Sequence, residues 1–367
     1  MKNRSLKPRQ RRFLFKLVPY PIIALIGGLL YYDVEKGLLG SFPIYPATGN
    51  PYNSTTSLIA ISLMTFLLGL ILGTIEEVYF KKRLKKLSFL KKILFKTGIY
   101  VLVLIIMLLI VAFILNAVNS GKLMYDSQVV DTVIHFFTSF TFLSVVIYSG
   151  AMIGLSLFFS EIVDYLGLDV VGSFFTGKYS KSVVENRVFM FLDMKSSTTI
   201  AEKLGHEKHY ELINEYYGDM TDPIVQTNGQ IYQYVGDEIV ISWRSENGLD
   251  HMNCIKCFYL IKKTIAAKSD GYMQRFGVVP EFKAGLHFGD VTRGQVGLIK
   301  REMLFTGDVL NTTARIQSMC NELQADLVIS GALKNALGES FYQYNDKGTF
   351  ELRGRNQQEA LYEVQEK

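Results

Sequence analysis

The 367-residue chain has only three cysteines, Cys254, Cys257 and Cys320, and all of them lie in its C-terminal half. That scarcity excludes a disulfide framework and points to a reduced compartment for the part that carries them. Cys254 and Cys257 have C-x-x-C spacing, but no second ligand pair follows and both fall in a helix-like run from His251 to Lys268. Helix packing is therefore expected there rather than metal or redox chemistry. A large excess of one charge is also missing. The net charge is +5, and much of the basic excess lies beside apolar runs, so it reads as membrane topology and not as a nucleic-acid footprint. The chain shows no internal repeat and no low-complexity tract. No small-residue cleavage site follows its first apolar run, so that run reads as a retained helix rather than a removable signal peptide.

Hydrophobic residues make up 49% of the chain, more than one soluble core needs. Four apolar runs, about 13–32, 58–75, 97–118 and 133–159, each approach the roughly 20 residues of a spanning helix. The third, with VLVLIIMLLIVAFIL, is the clearest, and the first is the weakest because it carries Lys16, Pro19 and Pro21. The basic segments KNRSLKPRQRR and KKRLKKLSFLKK alternate with the non-basic stretches Asp33 to Thr56 and Asn119 to Asp131. The positive-inside rule then predicts a multi-pass protein of the cell's inner membrane, in contact with the lipid bilayer, with its N-terminus and everything after about residue 159 cytoplasmic. No cluster of ionisable residues is evident within the apolar runs, which favours anchoring, dimerisation or signal input over transport. The expected domains are a transmembrane region over 1–160, a coupling linker over 161–185 that includes Gly172 and Gly177, and a catalytic domain over 186–367.

That last domain reads as α+β. RVFMFLD is a strand, Thr199 to about Gln226 is helical with a break near Gly205, and QIYQYV and EIVISW are strands joined at Gly236-Asp237. A helix around Asp250 to Lys268, strands at EFKAGLHF and QVGLI, a helix over about Val309 to Glu322 and a strand at DLVIS follow. The core order is βαββαβ, the ferredoxin-like arrangement, with later strands added. In that topology the first and third strands are antiparallel neighbours. The end of the first, Asp193, then lies beside the start of the third, Asp237, and two hard carboxylates share one rim of the sheet. Each aspartate alone is an ordinary turn former; together they form a candidate site for Mg²⁺ or Mn²⁺ on a triphosphate. Ser196, Ser197 and Thr198 open the next helix, where free N–H groups either receive phosphate oxygens or are capped by the hydroxyls.

Four segments, FLDMKSST, YVGDEIVISW, KAGLHFGDV and FTGDVLNTTARIQ, resemble in order and spacing the catalytic domain of class III nucleotidyl (adenylate and guanylate) cyclases, here of the bacterial membrane-anchored type. The resemblance covers about Arg187 to Val364. It implies two metal ions per site on Asp193, Asp237 and the backbone carbonyl of Met194. It also implies that Asn311 orients the ribose, that Arg315 stabilises charge on the α-phosphate and that Arg353 in FELRG holds the terminal phosphates. Helix geometry independently puts Asn311 and Arg315, an i, i+4 pair, on one face; taken singly, Arg315 and Arg353 also read as surface ion-pairing residues. The family builds each site from two subunits, so a single copy implies a homodimer with two equivalent sites.

At the base-reading positions the chain departs from the family. Gln233 stands where the family's adenine-selecting lysine is found, and Leu304 where an Asp or Thr is found. A carboxamide can donate to adenine N1 and accept from N6, so ATP is the preferred substrate, with 3′,5′-cyclic AMP and pyrophosphate as products. A flipped carboxamide would serve guanine or a pyrimidine, and a catalytically silent nucleotide sensor is the remaining alternative. Neither His287, read as a packed strand-end residue, nor Tyr232 and Tyr234, read as sheet packing, enters the expected site.

Overall fold

The computed structural model describes residues 13–14, 17–40, 42–45, 51–80, 84, 87–166, 182–299, 302–338, 341–351 and 358–367. The chain divides into two compact units, Arg11–Gly172 and one that contains Ser173–Lys367.

The first unit is helical: α1 (Pro19–Leu39), α2 (Ser54–Ile75), α3 (Phe89–Ser120), α4 (Ser127–Phe137) and α5 (Phe140–Leu166). Among the described residues three helical stretches are long and apolar enough to cross a membrane, Ser54–Phe80, Phe89–Ser120 and Phe140–Val163. The first expected run differs from this. Its helix begins at Pro19, because proline is tolerated in a first turn, and it runs past residue 32 through Asp33, Glu35 and Lys36, so it is too polar to count with the others. The fourth expected run is split at Thr138 and Ser139 into α4 and α5. Gly172 and Gly177, and with them most of the expected linker, lie outside the described residues.

The helices overrun the apolar stretches, and a cluster of ionisable residues that the apolar runs themselves do not contain forms just past their ends. The C-terminal end of α2 continues as a π-helical turn, Glu76–Phe80. There Lys96 Nζ of α3 donates to Glu76 Oε1 at 2.5 Å and to Glu161 Oε1 of α5 at 2.8 Å. Tyr100 donates its hydroxyl to Glu76 Oε2 at 2.7 Å, and Lys92 lies 3.8 Å from Glu161. Lys96, Glu76 and Glu161 are all buried. A buried cation shared by two carboxylates adds little net stability but defines one arrangement of the three helices, since losing a partner strands a charge. Each of the three lies just outside a stretch that reads as apolar, which is why the apolar pattern hides them.

In the second unit the strands are β1 (Val183–Met194), β2 (Gln230–Val235), β3 (Glu238–Arg244), β4 (Phe282–Val296), β5 (Glu302–Thr306), β6 (Leu327–Ser330), β7 (Tyr342–Glu351) and β8 (Gln358–Glu366). They form a sheet in the order β2-β3-β1-β4-β6-β8-β7, with β5 paired to β4. The helices that matter for the site are α6 (Ser197–Leu204), α7 (His206–Gln226), α8 (Ser245–Leu249), α9 (Asn253–Ala266), α10 (Ser269–Phe276) and α11 (Asp308–Met319), and the short α12 (Gly331–Leu337) follows β6. The βαββαβ core is as expected. The segments EFKAGLHF and QVGLI, expected as two strands, instead contribute to one 15-residue strand, because the outer half of β4 pairs both with the start of β1, Val183 opposite Arg293, and with β5, Thr292 opposite Thr306.

One face of the sheet carries Val188, Met190 and Leu192 of β1 and Ile239, Ile241 and Trp243 of β3 against α7 and α9. Cys254 and Cys257 belong to this core; burial pushes both thiols up to about 12, so they are packing residues. The opposite face carries Phe189, Phe191 and Val240 and is covered in part by α11 through Val309. The helix approaches closely because β4 has Gly285 beneath it: a Cβ there would lie 2.3 Å from the backbone nitrogen of Gln317. Gly285→Ala should therefore lift α11 and cost about 1–3 kcal/mol, as other overpacked cores do. Thermal unfolding checks this, with an unchanged midpoint as the contrary result.

Candidate active site

Antiparallel pairing of β1 with β3 places Asp193 opposite Glu238, so Asp237, one residue earlier in the turn, reaches the same rim. The turn is held by Tyr217 of α7, whose hydroxyl contacts the carbonyl oxygens of Gly236 at 2.9 Å and Glu238 at 3.1 Å. Gly236 has φ 61°, a left-handed conformation that suits glycine. Asp193 Oδ2 accepts from Gln317 Nε2 at 3.1 Å and lies 3.6 Å from Lys283 Nζ, which in turn donates to Asn321 Oδ1 at 3.1 Å. Burial, and after it the charge of Asp237, push the Asp193 carboxyl above the usual range, while Lys283 and Gln317 act in the opposite direction. Burial and the two aspartates likewise push Glu238 up to about 7.

A rim where burial and neighbouring carboxylates raise the Asp193 and Glu238 pKa values is a place that favours a cation. Among the described residues no group of three or more His, Cys, Asp or Glu side chains forms a closed metal cage. Two carboxylates beside a backbone rim suit Mg²⁺ or Mn²⁺, because such hard ions keep positions for phosphate and water oxygens. The residues present therefore fit a triphosphate-bound divalent ion better than a structural metal.

Met194 ends β1 with its side chain in the core. Ser196 adopts φ 54° and opens α6 with no side-chain capping bond, so hydroxyl capping by Ser196 is not what is seen; Ser197 and Thr198 form the first turn. Gln233 is exposed on β2 and pairs with Val240, which pairs with Phe191, so it shares the sheet face of Asp193. A bulge between Ile231 and Gln233 sends the flanking tyrosines to different neighbours: Tyr232 packs on Phe189 and Phe305, and Tyr234 on Tyr217. Both are packing residues, as expected. His287 is buried and its Nδ1 shares a hydrogen bond with Ser330 Oγ at 2.7 Å, again a packed residue. Arg353 lies outside the described residues.

Within one chain the two halves of the expected site are not brought together. Gln317 faces Asp193, and at about 100° per residue Arg315 and Asn311 lie about 200° and 240° around α11 from it. Asn311 is exposed, and Arg315 Nη1 is buried without a hydrogen-bond partner among the described residues. Leu304 pairs with Gly294, nine residues along β4 from Gly285, the residue level with Gln233. That is on the order of 30 Å along a strand, so the two base-reading positions of one chain are also apart.

Gln317 and Lys283, which hold Asp193, are absent from the expected site. Lys283 was within reach of a register argument, because it stands directly opposite Asp193 on β4. Gln317 had no such signal, since only the packing of α11 over Gly285 aims it.

Residues 180–365 match the family described as adenylate and guanylate cyclase catalytic domain. The chain belongs to that family. It is 34% identical over 220 residues to adenylate cyclase 2 of Rhizobium meliloti (strain 1021), covering 60% of this chain and 61% of that protein. It is 26% identical over 181 residues to adenylate cyclase 1 of the same organism, covering 48% of this chain and 27% of that one. The chain thus spans less than two thirds of either relative. Among solved structures, the adenylyl cyclase CyaB of P. aeruginosa is similar at a TM-score of 0.46 and 18% identity over 51% of this chain and 97% of that one. The guanylyl cyclase Cya2 gives 0.45 and 20% over 50% and 93%.

Proposed function

We propose that the protein is a membrane-anchored adenylate cyclase, converting ATP to 3′,5′-cyclic AMP and pyrophosphate in a homodimer, with its N-terminus and catalytic unit on the cytoplasmic side of the inner membrane. The observation that carries the reading is the convergence of Asp193 and Asp237 on one rim, with Lys283 and Gln317 fixing the first and Tyr217 fixing the turn of the second. Two divalent ions, Mg²⁺ or Mn²⁺, held there with the Met194 carbonyl would lower the pKa of the ribose 3′-hydroxyl and neutralise the triphosphate.

The chain's own residues supply position and charge. From the partner copy, Asn311 orients the ribose and Arg315, whose Nη1 lacks a partner among the described residues, meets the α-phosphate. Arg353 takes the terminal phosphates, and the N–H groups of Ser197 and Thr198 face the same anion. Gln233 reads the base edge with both a donor and an acceptor, which supports adenine but serves guanine when flipped. The basic segments at 2–12 and 81–92 support the cytoplasmic assignment.

Full-length protein in nanodiscs, given ATP, GTP, CTP and UTP separately with Mn²⁺, should yield cyclic AMP and pyrophosphate as the main products. Equal or greater cyclic GMP would move the assignment to a guanylate cyclase. Nucleotide binding without pyrophosphate release would make the protein a silent sensor.

A further inference from the structure

Helices α1, α2, α3 and α5 line a partly open cavity of about 180 Å³ within the first unit. Loose packing does not account for it. Along one side α1 and α2 touch at backbone distance, since a Cβ on Gly69 would lie 2.5 Å from Pro21 Cα and one on Gly28 would lie 2.5 Å from Thr65 Oγ1. The space lies where the larger Ile23, Met64, Met107 and Met152 converge.

The lining has no Asp, Glu, Lys, Arg or His. Five of its seven hydroxyls are already engaged: Tyr148 donates to Gly27 O at 2.9 Å, Tyr100 to Glu76 Oε2 at 2.7 Å, Thr65 to Ile61 O at 2.8 Å and Ser156 to Met152 O at 2.8 Å, and Tyr20 shares a hydrogen bond with Ser160 Oγ at 2.9 Å; Tyr31 and Ser149 carry the other two. Water needs two to four polar partners, and four of these hydroxyls have already committed their protons to the protein. An apolar cavity of about 150 Å³ in a protein core stays dry and takes up benzene, and an unfilled one forfeits the dispersion contacts of its walls.

The structure assigns this cavity as a binding site for an uncharged apolar molecule, of single-ring or short-chain size, that arrives through the hydrocarbon phase of the bilayer. A charged ligand finds no counter-charge in the lining. The occupant touches Met152, Ser156 and Leu157 of α5, the last helix before β1 among the described residues. It also touches Tyr100, whose hydroxyl joins the Glu76, Lys96 and Glu161 cluster. Occupancy would therefore bear on the helix that leads to the catalytic unit.

The test uses the full chain in nanodiscs with a diazirine-bearing alkylbenzene as photoreactive probe, and peptide mapping as the readout. Saturable labelling at Met107 and Met152, protected by excess n-butylbenzene and reduced at least about tenfold when Ala24→Phe fills the space, is the expected result. Ser149→Leu serves as a second filling variant should Ala24→Phe not fold, with the same reduction expected. Labelling that rises without saturation, resists competition and spreads over the outward-facing Leu102, Ile106 and Ile110 would mean bilayer partitioning only, and would overturn the assignment.

Discussion

Asp193→Ala will reduce cyclic nucleotide formation by on the order of 10²–10³ or more, the loss that follows removal of a preorganised electrostatic group from a site of this kind. The same substitution should leave the metal-free fold intact. Asp193 is half-buried and its carboxyl is raised by burial and by Asp237, so its negative charge is a cost to the empty rim rather than a support. For an acid with a raised folded pKa, the ionised form is the one the fold disfavours, and that penalty grows as pH rises through the raised value. Deleting the carboxylate removes the penalty but also the partner of Gln317 and Lys283, and the two effects oppose each other. A second readout separates metal binding from folding. Mn²⁺ should raise the wild-type unfolding midpoint by mass action and leave that of Asp193→Ala unmoved. Turnover near the wild-type level in the variant, or an equal Mn²⁺ shift in both, would rule out this carboxylate as a metal ligand.

The rim itself was legible because two kinds of information agreed. The βαββαβ order makes β1 and β3 neighbours, and Asp193 and Asp237 stand at the ends those neighbours share. What the pattern could not carry was information held in packing. The Glu76, Lys96 and Glu161 cluster lies just past the ends of the apolar runs, and only the helix overruns bring its members into contact. β4 was expected in two pieces, EFKAGLHF and QVGLI, whereas pairing on both sides sustains one strand through Gly289 and Gly294. The bulge in β2 breaks strict alternation and sends Tyr232 and Tyr234 to different neighbours, though Gln233 still shares the face of Asp193. Gln317 is the clearest case. Its amide reaches Asp193 because α11 rests on a residue without a Cβ, a fact about approach distance and not about spacing.

The orientation of α11 leads to the sharpest expectation about assembly. Because Gln317 points to its own Asp193, the Asn311 and Arg315 side of the helix is turned away from the metal rim of the same chain. In the proposed homodimer a complete site takes the rim of one copy and the α11 face of another. Asp193→Ala and Arg315→Ala should each be inactive as homodimers. Co-expressed, they should regain activity, since the mixed dimer holds one site built from the intact rim of one chain and the intact arginine of the other. Random pairing makes half the dimers mixed and leaves one of their two sites intact, so recovery should approach about one quarter of wild-type turnover under two-fold symmetry. Purification through two different tags isolates the mixed dimer and should raise that value to about one half. A site completed within one chain gives a different result: neither variant rescues the other at any mixing ratio, and the tagged mixed dimer is as inactive as its parents.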